Sequence, residues 1–242
     1  MTVRNGAHEA LRTATADHHR RVDRIYSAAR LGDRASYGNF LRAQAAACLP
    51  VEASLESAGI AGLLEDWPQR VRGELILADM AELGIERPQM AGTPAIAGAP
   101  AMLGAIYVLE GSRLGGSLLK RSVPANFPAR FLAGKRPASW RSFLARLDRD
   151  LGTPEERTEA IDAARTVFSI FEESGRLYIE AVCEGGRRAA GEGPRLGSMQ
   201  LIHPPARPGW TGPIDRGGLQ DPVGFVSALG PPCGSSVRAG FL

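Results

Sequence analysis

The residues with the clearest chemical potential lie between Leu11 and Asp23, where His18 and His19, two of the four histidines, sit in an amphipathic stretch. His19 and Asp23 are four residues apart, so on a helix they are neighbours on one face. A carboxylate that holds one ring nitrogen of an imidazole is a common way to orient a metal-ligating histidine. His18 competes for that role, because the stripe Leu11, Thr15, His18, Val22, Ile25 and Ala29 passes between the two at a step of ~100° per residue. Two features favour His19: it shares a face with Thr15, Val22 and Tyr26, and it alone is one turn from Asp23. Arg12, two turns earlier on that face, could meet a carboxylate on a ligand. His8 and His203 fall in weakly patterned segments and receive no role.

The second feature is the apolar run Tyr107 to Leu119, which contains Gly111, Gly115 and Gly116. Glycines inside a helix cost about 1 kcal/mol each relative to alanine, so the backbone there is being kept bare for a reason. Gly111 and Gly115 face the same way, with Gly104 near that face. Two readings stand side by side: tight packing of another helix through small residues, or a flat macrocycle lying on the glycine face, with a bend in the helix.

Helices are what must position these residues. Tyr37, Phe40, Leu41, Gln44, Cys48 and Val51 predict a second helix, with Pro50 bending or ending it. Arg70 to Leu83 predicts a third, entered through Trp67 and Pro68. Thr93 to Val123 is the most apolar region, and Pro94 and Pro100 make it securely helical only from Ala101 onward. Ser139 to Leu151 is a short amphipathic helix with Trp140, Phe143, Leu144 and Leu147 on one side. Thr153, Pro154 and Glu156 spell a capping box and open a helix that runs to about Val182. Runs of alternating β-branched residues are nearly absent. The expectation is an all-α, single-domain helical bundle over residues 1–182.

Residues 183–242 differ in kind, with 13 Gly and 8 Pro among 60 residues, 35%, against about 14% in the preceding part. Such a composition predicts a low-order Gly/Pro-rich tail; the alternative is a partner-binding segment anchored by Trp210 and Phe225. The chain has 242 residues and a formal net charge of +3, and its basic residues are dispersed. Nucleic-acid binding is therefore not indicated, although a mildly basic surface suits an acidic redox partner or a propionate-bearing ligand. Cys48, Cys183 and Cys233 lie far apart, which suggests neither a disulfide framework nor a zinc site and fits a reducing cytosol. Met1 to Glu9 lacks the apolar core of a signal peptide, and no stretch reaches the ~18 to 20 apolar residues of a membrane span. A cytoplasmic protein is expected.

Leu11, Arg12, Ala14, Thr15 and His19 resemble the proximal-helix motif of the heme oxygenases, and Gly111, Ser112, Arg113, Leu114, Gly115 and Gly116 resemble the glycine-rich kink of their distal helix. The surroundings of Leu103 to Glu110 are most similar to bacterial enzymes associated with bacteriophytochromes, and Trp140, Phe143, Leu144, Phe168 and Phe171 also sit where such sequences have similar residues. The resemblance spans about residues 8–182 and leaves the tail uncovered. It implies His19 as the axial ligand of a heme iron and Asp23 as the carboxylate holding it. It implies heme contacts from Arg12, Thr15, Gly111, Gly115 and Gly116, with Gly111, Ser112 and Gly115 at the catalytic face. Phe168 and Phe171 are expected to pack the bundle. The implied reaction opens heme to biliverdin, releasing CO and ferrous iron, with O2 and an external reductant such as ferredoxin or a reductase. Biliverdin could then supply a bacteriophytochrome. One departure stands out: Ser112 takes the place of an aspartate that in many members organises water for proton delivery. That departure keeps a heme carrier or sensor without turnover as the alternative, and a helical interaction protein whose glycines serve packing alone as a third.

Overall fold

The computed structural model of the chain describes residues 6–133 and 140–181. The tail 183–242, including Cys183, Cys233, Trp210 and Phe225, lies outside the described residues. Among those described, all regular structure is helical: α1 (Ala7–Tyr26), α2 (Arg34–Ser57), α3 (Ile60–Leu63), α4 (Trp67–Arg70), α5 (Gly73–Glu82), α6 (Gly98–Leu119), α7 (Arg130–Ala133), α8 (Trp140–Asp150) and α9 (Pro154–Gly175). A 3-10 turn at Lys120–Ser122 extends α6, and a π turn at Arg176–Glu180 extends α9. No helix among the described residues is long and apolar enough to cross a membrane.

α2 is apolar on nearly every side, with Tyr37, Phe40, Leu41, Ala45, Ala46, Cys48, Val51 and Leu55 all buried, as expected of a helix inside a bundle. Burial pushes the Cys48 thiol up to about 12, leaving it a protonated core residue rather than a nucleophile. Asp33 caps α2 by accepting from the Ser36 N–H at 2.8 Å. The helix does not end at Pro50. Proline has no N–H for the Ala46 carbonyl, but the Ala91 N–H, arriving from the loop before α6, donates to that oxygen at 3.3 Å. A long-range bond thus replaces the lost helical one, and the chain stays helical to Ser57.

The single helix expected over Arg70–Leu83 is two. The Glu52 carboxylate on α2 accepts from the N–H groups of Arg72 and Gly73 at 2.8 and 2.9 Å. It thereby caps a new helix at Gly73 and separates α5 from α4. His8 also acquires a structural part. Asp148 on α8 accepts from the His8 N–H at 3.0 Å and lies 2.8 Å from its Nδ1, capping α1 from another helix. A Cβ on Gly6 would stand 2.5 Å from the same carboxylate, so glycine is what lets Asp148 in.

α9 begins as its capping box predicts, with the Glu156 N–H donating to Thr153 Oγ1 at 3.2 Å and the Thr153 N–H donating to Glu156 Oε2 at 2.9 Å. It packs against α1 and α6 more extensively than any other pair of elements meets. Ala160, Ala164, Val167, Phe168 and Phe171 are fully buried in these contacts, each aromatic side chain contributing roughly 1.5–3 kcal/mol by its burial. On the α1 side, the Tyr26 hydroxyl donates to the Phe171 carbonyl at 3.3 Å and pairs with Ser174 Oγ at 3.0 Å. On the α6 side, the glycine that matters is Gly104: a Cβ there would lie 2.0 Å from the Ala160 carbonyl oxygen.

Gly104→Ala therefore separates two effects of opposite sign. Helix propensity alone would stabilise by ~1 kcal/mol, whereas overpacking against backbone costs about 3 kcal/mol. We expect a net loss of about 2 kcal/mol, read as a lower urea midpoint at unchanged m-value.

Candidate functional site

α1 carries two imidazoles with different attachments. His19 Nδ1 lies 2.9 Å from Asp23 Oδ2, one turn along the same helix, and its side chain is 20% exposed. Holding Nδ1 on a carboxylate fixes the ring, a common way to orient a metal-ligating imidazole. His18 is tied to α9 instead: its Nδ1 lies 2.8 Å from Glu172 Oε1, and Arg21 donates from Nε to Glu172 Oε2 at 2.9 Å. The Arg21 Nη2 also lies 2.8 Å from His18 Nδ1. Burial works against the ionised Glu172, but the hydrogen bonds from Arg21 and His18 outweigh it and hold the carboxyl below its ordinary range. Phe168 sits beside both rings, with centroids 6.2 Å from His18 and 6.3 Å from His19. Both rings are thus held on carboxylates, His18 across to α9 and His19 within its own helix.

Thr15 is buried, and its hydroxyl donates to the Leu11 carbonyl at 2.8 Å. The Tyr107 phenol on α6 has its pKa raised by burial. Arg12 is paired with Glu9 of its own helix by two bonds, at 2.9 and 2.7 Å, and its side chain is 57% exposed. An exposed pair of this kind contributes little to stability, so a ligand carboxylate can take the guanidinium over at small cost.

On α6, Gly111, Gly115 and Gly116 are all buried. A Cβ on Gly116 would meet Leu132 of α7 at 3.5 Å, which assigns this glycine to an ordinary helix-to-helix contact. Ser112 is 4% exposed. Its hydroxyl donates to the Leu109 carbonyl at 2.7 Å and accepts from Arg72 Nη2 at 2.7 Å. The hydroxyl proton and one lone pair are therefore committed inside the protein.

Sequence reasoning missed the charged layer that backs this turn of α6. Arg113 donates from Nη2 to the Arg70 carbonyl at 2.5 Å. Glu110 lies 3.4 Å from Arg70 Nη1 and 3.3 Å from Arg113 Nη2, and Arg70 forks onto Asp66 at 2.8 and 2.7 Å. Burial lowers the Arg113 guanidinium below its usual range. The only advance signal was the pair Arg70 and Arg72 inside an expected helix, and their partners on α6 lie about forty residues away. A shallow groove elsewhere, lined by Asp33, Arg34, Gly38, Arg42, Leu83 and Ile85, contains none of the predicted site residues.

No family model matches the chain. The heme oxygenase PigA of Pseudomonas aeruginosa is 30% identical over 175 residues, covering 67% of this chain and 88% of that protein. A heme oxygenase of Xanthomonas campestris pv. campestris is 30% identical over 112 residues, covering 43% of this chain and 67% of that protein. Among solved structures, the NO- and CO-bound heme oxygenase of Neisseria meningitidis matches with a TM-score of 0.64 at 25% identity, over 73% of this chain and 93% of that one.

The Glu172 joint predicts a pH dependence with a definite sign. The carboxyl is lower in the folded protein than its ordinary unfolded value of ~4.3. Its stabilisation is therefore fully present above that value and is lost as pH falls through the folded value. At pH 7 we expect Glu172→Gln to cost about 1–2 kcal/mol. Urea unfolding at a series of pH values should show the gap to wild type narrowing steadily below ~pH 4.

Proposed function

The chain belongs to the heme oxygenase family, and from that membership we propose that it opens heme to biliverdin, releasing CO and ferrous iron, with O2 and electrons from an external donor. The observation that carries the reading is the His19–Asp23 pair on α1. The donor chemistry fits a heme iron: one imidazole, its Nδ1 held by a carboxylate. Bound heme would supply both the iron that activates oxygen and the ring that is oxidised.

The remaining roles fall to the chain's own atoms. His19 Nε2 would hold the iron, and Asp23 would keep that ring in one tautomer and orientation. Arg12, released from Glu9, would pair with a propionate. Thr15, one turn before His19, would stand beside the ligand. Gly111 and Gly115 would let the α6 backbone approach the macrocycle, while Gly116 packs on Leu132. Ser112, in the place of the usual aspartate, has its proton on the Leu109 carbonyl, so proton delivery would run through water held by other groups. Electrons would come from a ferredoxin or a reductase, and the product could serve a bacteriophytochrome. The committed Ser112 hydroxyl also favours the second reading, a heme carrier without turnover.

An absorbance time course on protein with one equivalent of hemin, given ascorbate in air, separates them. We expect a Soret band that decays as the broad red absorbance of a bilin grows. His19→Ala should abolish this, His18→Ala should retain it, and Asp23→Ala should weaken heme binding about 10- to 100-fold. A Soret band that persists through repeated reduction assigns the carrier role.

A further inference from the structure

We infer that Arg72 is a positioning residue that locks the glycine-bearing turn of α6, so fixing how its backbone meets the heme; the second clause rests on the function proposed above. Arg72 stands at the break between α4 and α5 and is 2% exposed. Its backbone is anchored first: Glu52 takes the N–H groups of Arg72 and Gly73 at 2.8 and 2.9 Å. A Cβ on Gly73 would lie 2.7 Å from Leu49 Cδ2 and 2.8 Å from Glu52 Oε2, so the anchor requires glycine there. The guanidinium then lies over the Phe131 ring of α7, 4.8 Å from its centroid.

From this fixed base, Arg72 Nη2 donates to Ser112 Oγ at 2.7 Å and to the Leu109 carbonyl at 3.0 Å. Ser112 Oγ donates in turn to the same carbonyl at 2.7 Å. Three groups thus close a triangle on the helical turn that contains Gly111. A helical carbonyl drawn onto outside donors is a recognised cause of local bending. Glycines allow close approach, but they also leave the backbone free to move. A donor fixed by three other helices removes that freedom without filling the space.

The placement of charge supports this role. Neighbouring Arg70 is paired with the carboxylates of Asp66 and Glu110. Arg72 directs its hydrogen bonds at two neutral oxygens of α6, while Glu52, the carboxylate beside it, is used on the Arg72 and Gly73 backbone. The adjacent Glu52 carboxylate offsets the buried charge, which leaves the guanidinium's hydrogen bonds to be aimed at the α6 oxygens.

Amide hydrogen exchange on the heme-free protein tests the lock without any turnover. In Arg72→Met, amides 110–116 should exchange about tenfold faster, while α1 and α9 stay as in wild type. Arg72→Lys should restore part of the protection, and Ser112→Ala should act in the same direction more weakly, deciding the matter if Arg72→Met does not fold. Unchanged exchange at 110–116, or acceleration spread evenly over all helices, would overturn the lock. The second readout is the infrared C–O stretch of the ferrous carbonyl complex. It should shift and broaden in Arg72→Met and return toward wild type in Arg72→Lys, with His19 ligation intact. Faster exchange with an unmoved stretch would overturn the positioning role. If wild type takes up no hemin, the proposed function falls, and exchange alone still judges the lock.

Discussion

Only a glycine lets the backbone of α6 rest on the backbone of α9, as Gly104 does on Ala160. Two turns further along α9, Phe168 lies against both imidazoles of α1. One helix therefore seats both α1 and α6. Close packing of this kind is steep in distance. A shift of α9 would be felt at His19 and at Gly111 together, although neither residue is on α9.

Charge is distributed around that seat according to what must stay still and what must meet a ligand. Glu172 is buried and holds His18 and Arg21, so the α1–α9 joint is tied through one carboxylate. His19 is oriented from within its own helix. Arg12, in an exposed pair with Glu9, is the easily redirected charge. Behind α6 the pattern inverts: Arg70, Arg72, Glu110 and Arg113 are all buried and hold the glycine turn from the side of α4, α5 and α7. The membership of the heme oxygenase family, shown by relatives at 30% identity, gives these two arrangements a common purpose.

Local rules were legible in the sequence wherever the partner was local. The capping box at Thr153 and Glu156, the His19–Asp23 pair and the stripe of α1 each depend on residues within four positions, and each forms as read. What failed to show depended on distant partners. Pro50 does not end α2 because Ala91 supplies the missing donor. The expected helix over Arg70–Leu83 breaks because Glu52 caps Gly73. His8 is employed because Asp148 reaches it from α8. Ser112 read as a site for water, and its hydroxyl is instead bound by Arg72, forty residues away. None of these pairings leaves a periodic trace in one sequence.

The central claim is that a heme binds with His19 of α1 on its iron and the Gly111–Gly115 turn of α6 close to the ring. The most direct measurement is paramagnetic broadening of assigned amide signals on addition of one equivalent of ferric hemin. Broadening should centre on residues flanking His19 and on Gly111 to Gly115, and should spare the groove formed by Arg34, Gly38, Leu83 and Ile85. Broadening confined to one of the two helices, or centred on that groove, would contradict the claim.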